Sequence, residues 1–170
     1  MYLIGELGSA ENDSLDILAG SVEMIHCYSL IHDDLPSMDD DNLRRGTPTT
    51  HNKYDEATAI LAGDALQPFA FELVTKINIP DRDKLSIIKS LAESCGYQGM
   101  VGGQIKDIHS HDIKDVESLD IMHSQKTGRL IQSSIETAGI LSNLRKQDIE
   151  PLIEYGDKIG LAFQIQDDII

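Results

Sequence analysis

An all-α fold is predicted by three features of the sequence. Apolar residues recur at helical spacing along most of the chain, no stretch alternates as a half-buried strand would, and the breaks fall at caps and prolines. Asn12 to Ser14 supply N-cap residues, so a first long helix is expected from Asp13 or Ser14 to about Asp34, where Pro36 stops it. Residues 36–50 read as a polar loop closed by Gly46 and Pro48. A second helix covers Tyr54 to about Ile77, with a kink at Pro68. A third opens at Pro80 to Asp83 and runs to about Gln104, and Gly96, Gly99, Gly102 and Gly103 on its later turns permit close approach of a helix or a substrate. Two more follow, from about Val116 to Leu141 and from Gln147 or Asp148 to the terminus.

A length of 170 residues suits one domain with a real core, and no repeat, low-complexity tract or flexible linker divides residues 1–170. The balance of 14 basic against 29 acidic residues gives a net charge of −15, which speaks against nucleic acid or an anionic membrane surface as partner. Cys27 and Cys95 are isolated, without metal-ligand spacing, and read as packed thiols in a reducing compartment. No apolar run reaches the roughly 20 residues of a membrane span, and the N-terminus does not read as a signal peptide. A cytoplasmic protein is expected.

The chemistry concentrates between His26 and His51, in HCYSLIHDDLPSMDDDNLRRGTPTTH. Asp33, Asp34, Asp39, Asp40 and Asp41 crowd five carboxylates into nine residues. Like charges 4 Å apart repel by about 4 kcal/mol at a near-surface dielectric. Such a run persists if it is solvated or if a cation neutralises it, and a solvated loop is the commoner case. Here a largely apolar run precedes the acids and Arg44 and Arg45 follow at once. Carboxylates that hold Mg²⁺ beside guanidiniums that grip phosphate make a receptor for a diphosphate. That reading also accommodates the negative net charge, because bound Mg²⁺ reverses the local sign.

The segment LIHDDLPSMDDDNLRRGTPTTH resembles the first aspartate-rich motif of the trans-prenyl diphosphate synthase (polyprenyl synthetase) family, in the form of its bacterial farnesyl-forming members. AILAGDAL (Ala59 to Leu66), GMVGGQIKD (Gly99 to Asp107), QKTGRLI (Gln125 to Ile131) and FQIQDD (Phe163 to Asp168) continue the resemblance in the family's order. It implies an isoprenoid-synthase-type antiparallel helical bundle around a central cavity, a homodimer, Mg²⁺ as cofactor, and isopentenyl diphosphate and an allylic diphosphate as substrates.

Residue by residue, the resemblance implies Asp33 and Asp39 as metal ligands, with Asp34 a supporting or occasional one. Arg44 matches the arginine that holds the allylic diphosphate, and Arg45 and His26 match residues that hold isopentenyl diphosphate. Read without the family, His26 in an apolar helix would be a core residue, and His32 keeps that reading. Near the C-terminus Gln164, Asp167 and Asp168 share one helix face at i, i+3, i+4, and the two aspartates match the start of the second metal-binding motif. Lys126 is implied to meet the allylic diphosphate, and the Thr127 carbonyl and Gln164 to stabilise the allylic cation. Asp64, Asp107 and His51 read as structural hydrogen-bonding groups. Tyr28 and Ser29, five and four residues before Asp33, match positions that form the cavity floor, which implies a farnesyl rather than a geranylgeranyl product.

The sequence departs from the family pattern at both ends. No Gly-Gly-Lys-Arg segment precedes Tyr2, and Ile170 falls where the last carboxylate of the second motif would stand. An internal piece of a synthase is therefore expected, with little turnover by itself. Other readings are a geranylgeranyl diphosphate synthase and a non-catalytic subunit that binds prenyl diphosphates. Terpene cyclases lack the Arg-Arg-Gly segment, and a Ca²⁺ module would need an Asp-x-Asp-x-Asp-Gly loop that is absent.

Overall fold

Helix follows helix along the chain because cap, proline and glycine signals divide a helix-forming sequence. The computed structural model describes residues 1–167, the side chains of Asp112 and Asp167 excepted. Within it α1 spans Tyr2–Gly5, α2 Asn12–Asp33, α3 Thr50–Lys53, α4 Glu56–Thr75, α5 Asp81–Cys95 and α6 Met100–Ile108. After a 3₁₀ turn at Ser110–Asp112 come α7 (Val116–His123), a π turn (Ser124–Gly128), α8 (Arg129–Leu141) and α9 (Lys146–Asp167). The fold is all-α, as the sequence predicts.

Three local features differ from the sequence expectation. The loop after α2 contains a two-residue-per-strand antiparallel hairpin, β1 (Leu43–Arg44) with β2 (Thr47–Pro48), too short for any alternation to announce. The helix expected up to Gln104 is broken, because Gly96 takes an extended conformation (φ −80°, ψ −164°) and the chain restarts at Met100. The helix expected over 116–141 is interrupted by the π turn. By contrast, α4 continues through Pro68.

The chain forms two compact units, Met1–Ala19 with Ile77 onward, and Gly20–Lys76, so that the boundary falls inside α2. In the second unit α2 packs on α4. The buried Ser21 hydroxyl donates to the Ala70 carbonyl at 2.8 Å, and Ile25, Ala59, Ala70 and Val74 are fully enclosed. His32 Nε2 lies 3.0 Å from the Ile60 carbonyl, which only a protonated Nε2 can satisfy, and its ring meets that of Tyr28 edge-on at 5.9 Å. In the first unit α5 and α8 share a polar seam inside an apolar contact. Ser90 donates to Glu136 at 2.6 Å and pairs with Ser133 at 3.0 Å, while Ile87, Leu91 and Ala138 are fully buried around them.

Two helices start on aspartate caps. Asp55 accepts from the Thr58 backbone N–H at 2.7 Å and Asp115 from that of Ser118 at 2.8 Å. These bonds to the ionised form hold both carboxyls below the ordinary value of 3.8. A depressed folded-state pKa contributes stability that is present above about pH 4 and lost as pH falls through the folded value. Replacing Asp55 or Asp115 with Ala should therefore lower the melting temperature at pH 7, and the difference from the parent should shrink below pH 4. Asn, which caps without a charge, should restore most of the loss at pH 7. Thermal melts across pH 3–7 check both statements.

Candidate functional site

The predicted site residues fall into two groups, one in each unit. The first is built on the C-terminal end of α2. Asp33 is the last helical residue, so the carboxylates stand where the helix's unpaired carbonyls already concentrate negative charge. The following loop turns back on the helix end: Asp39 N–H donates to the Asp33 carbonyl at 3.0 Å and Asp41 N–H to that of Asp34 at 3.2 Å. The two residues expected to bind metal, six apart in sequence, are thus brought side by side. Thr49 pins the loop from beyond, its hydroxyl donating to the Asp41 carbonyl at 2.7 Å.

Asp34 faces elsewhere. It is 3% exposed, and its Oδ1 takes both Nε and Nη2 of Arg44, at 2.7 and 2.5 Å, while Asp41 lies 3.8 Å from the same guanidinium. The Asp34 hydrogen bond raises the Arg44 guanidinium above its ordinary value, and the charges of Asp34, Asp33 and Asp41 add to the effect against the opposing pull of burial. Asp34 thus orients the Arg44 guanidinium. Arg44 and Arg45 diverge for a visible reason. Arg44 ends β1, whereas Arg45 and Gly46, at φ 52° and 78°, form the two-residue loop of the hairpin. Positive φ at both central positions is the type I′ turn that a tight hairpin requires, and glycine supplies the second at no steric cost. Arg45 is exposed at the tip.

Upstream on α2, His26 and Ser29 are half-buried and Tyr28 is 5% exposed. The Ser29 hydroxyl donates to the His26 carbonyl at 2.8 Å. Burial and the nearby Glu23 push the Cys27 thiol up against the pull of Arg45, and burial raises the Cys95 thiol. Neither has the depressed pKa of a nucleophilic cysteine.

The second group centres on the π turn. Ser124–Gly128 closes i→i+5 rather than i→i+4, a rare geometry that is frequent at functional sites. It carries Lys126 and Thr127. Three side chains tie it to its surroundings: Lys106 Nζ donates to Gln125 Oε1 at 2.7 Å, Ser124 Oγ to Asp157 Oδ1 at 3.3 Å, and Lys126 Nζ to Asp107 Oδ2 at 2.5 Å. Gln164 lies half-buried on α9. Asp167 is the last residue of that helix, but its side chain and all of Asp168 lie outside the described residues. Sequence reasoning gave Asp107 a structural hydrogen bond; the bond exists, and its partner is Lys126.

Among the described residues no three His, Cys, Asp or Glu side chains form a ready-made metal cage. Mg²⁺ does not need one, since it keeps several waters and binds through one or two carboxylates plus substrate phosphates. Asp33 and Asp39, whose backbones meet at the negative end of α2, carry the hard oxygen donors that Mg²⁺ takes. No helix among the described residues is long and apolar enough to cross a membrane.

The chain belongs to the polyprenyl synthetase family, whose model matches residues 1–170. It is 50% identical over 174 residues to the farnesyl diphosphate synthase of Haemophilus influenzae, covering 100% of this chain and 59% of that protein. Among solved structures, a geranyltransferase from Legionella pneumophila superposes with a TM-score of 0.93 at 42% identity, over 98% of this chain and 61% of the other. A geranyltransferase from Helicobacter pylori, complexed with magnesium and isoprenyl diphosphate, gives a TM-score of 0.89 at 36% identity, over 99% and 59% of the two chains. The chain spans about three fifths of the length of these relatives.

Proposed function

We propose that residues 1–170 form part of a single polyprenyl synthase domain that condenses isopentenyl diphosphate with dimethylallyl or geranyl diphosphate, giving farnesyl diphosphate and free diphosphate. The single observation that carries this reading is the loop after α2, in which the Asp39 N–H meets the Asp33 carbonyl and Arg44 pairs with Asp34. Its likeness to a relative complexed with magnesium and isoprenyl diphosphate adds support. A homodimer in the cytoplasm belongs to the same proposal.

In this mechanism Asp33 and Asp39, with Asp167 and Asp168 from the C-terminal motif, would hold Mg²⁺, which when bound would supply positive charge to the leaving diphosphate. Arg44 and Lys126 donate charge-assisted hydrogen bonds to the same group, while Arg45 and His26 hold isopentenyl diphosphate. As the allylic C–O bond breaks, its electron pair leaves with the diphosphate, and these fixed donors stabilise the growing anion. The Thr127 carbonyl and Gln164 face the allylic cation. The double bond of isopentenyl diphosphate attacks that cation, and the proton lost from the new tertiary cation passes to the departing diphosphate. No separate nucleophile is required.

Titration calorimetry tests the core of the proposal. Geranyl diphosphate should bind in the presence of Mg²⁺ and fail to bind in excess chelator; equal affinity in both would overturn it. In the protein as its gene encodes it, Arg44→Ala should mainly impair use of the allylic substrate and Arg45→Ala mainly raise KM for isopentenyl diphosphate. Identical effects of the two changes on both substrates would remove the assignment. Burial of Tyr28 supports farnesyl as the product. Tyr28→Ala should lengthen the product to geranylgeranyl, read by chromatography of the dephosphorylated alcohols, and an unchanged product would exclude Tyr28 as the floor. A chain that binds without turnover would favour the non-catalytic reading.

A further inference from the structure

We propose that Asp107 is a positioning residue for the proposed diphosphate-binding lysine, Lys126, fixing its ammonium where charge develops on the leaving group. This rests on the prenyl-transfer reading of the site and goes beyond it, since that reading gives Asp107 no part.

The geometry points to Asp107 through three contacts on one face of α6. Gly103, Lys106 and Asp107 are spaced i, i+3, i+4 and so share that face. All three meet the π turn. A Cβ at Gly103 would overlap the backbone N and Cα of Lys126, so only a residue without a side chain lets α6 lie this close. Lys106 holds Gln125, the residue before Lys126, at 2.7 Å. Asp107 then takes Lys126 Nζ itself at 2.5 Å, with the two side chains only 29% and 22% exposed. The backbone of the turn and the tip of its lysine are thus held by one short helix.

Such a hold has a chemical use. Lysine carries a compact charge on a flexible four-carbon stem, and immobilising that stem costs rotamer entropy. A carboxylate that holds the ammonium before substrate arrives meets that cost during folding rather than during the reaction. In the ground state two consequences of losing Asp107 oppose each other: the lysine is less well placed, but a negative charge that repels diphosphate is gone. In the transition state, where charge concentrates on the breaking C–O bond, placement dominates. The effect should therefore appear in kcat more than in KM.

The test is a double-mutant cycle in the protein as its gene encodes it, with Mg²⁺, geranyl diphosphate and isopentenyl diphosphate. Lys126→Gln should lower kcat by about 10²–10³-fold, the usual range for one lost donor to a developing anion. Asp107→Asn should lower kcat by about tenfold or more and change KM for the allylic substrate by less than about threefold. In the Lys126→Gln background Asp107→Asn should cost nothing further. Asp107→Glu, which keeps the charge on a longer arm, should recover part of the loss and serves as the reference if the Asn variant melts early. The proposal is overturned if Asp107→Asn leaves kcat unchanged, if it costs the same factor without Lys126, or if it acts on KM alone. A parent protein with no prenyl transfer would instead remove the functional reading beneath it. In that case the reductively methylated Lys126 NMR signal would still respond to Asp107→Asn, which marks the two failures as different.

Discussion

Asp33→Asn is expected to weaken Mg²⁺-dependent binding of geranyl diphosphate by about 10- to 100-fold, the equivalent of 1.5–3 kcal/mol for a lost interaction with a charged group. Asparagine keeps the size and an oxygen but loses the charge that offsets the metal's. The backbone bond from Asp39 to the Asp33 carbonyl does not use the side chain, so the loop should survive the change. Turnover should fall further than affinity, because in the proposed reaction a bound metal would also stabilise charge that appears only as the C–O bond breaks. Asp39→Asn should behave alike. Asp40 supplies the control. It stands between the same neighbours, is exposed, and has φ 55°, a conformation asparagine adopts readily. Asp40→Asn should leave binding nearly unchanged. If calorimetry gives the same loss at Asp33 and Asp40, the effect is one of bulk charge and the ligand assignment is wrong.

Gly103→Ala is expected to cost stability and function together. The added methyl would meet the Lys126 backbone, which cannot swing aside as a side-chain tip can. Overpacking of this kind costs about 1–3 kcal/mol, which for a chain of this size lowers Tm by roughly 2–12 °C. Relief requires α6 or the π turn to move, and either motion displaces Lys126 from Asp107. Thermal unfolding followed by circular dichroism, paired with kcat, measures both effects; an unchanged Tm would show that the contact yields freely. Gly102, one position away, would serve poorly as a control, since a Cβ there meets the Tyr97 carbonyl.

Helices with a cap at one end and a breaker at the other were legible in the sequence. Asn12 to Ser14 and Pro36 bracket α2 to within about two residues, and the polar segment before Tyr54 ends at the Asp55 cap of α4. Features that depend on a single residue's backbone were not. The break at Gly96 and the π turn at Ser124–Gly128 both lie in stretches whose apolar spacing continues helically, so periodicity runs straight through them. In the candidate site, residue types and spacing singled out the acids and the arginines, because each kind of side chain has a characteristic chemistry, whereas Lys126 was singled out by the family resemblance. Pairing was hidden. Asp34 with Arg44 and Asp107 with Lys126 join residues 10 and 19 positions apart; the first pair is set by how the loop folds back on α2 and the second by how α6 packs on the π turn.

The π turn also has a consequence for how the chain tolerates changes in length. A turn closed over five residues instead of four carries one residue more than a regular helix, so α7 and α8 are out of phase by about 100°. Deleting a single residue between Ser124 and Gly128 would let one uninterrupted helix form, with better backbone bonding, yet it would rotate every residue on one side of the deletion away from its present neighbours. Either α8 would lose its seam with α5 or Lys126 would turn from Asp107. The protein keeps a locally poorer helix because only that phase lets one face lock onto the core and another present a cation.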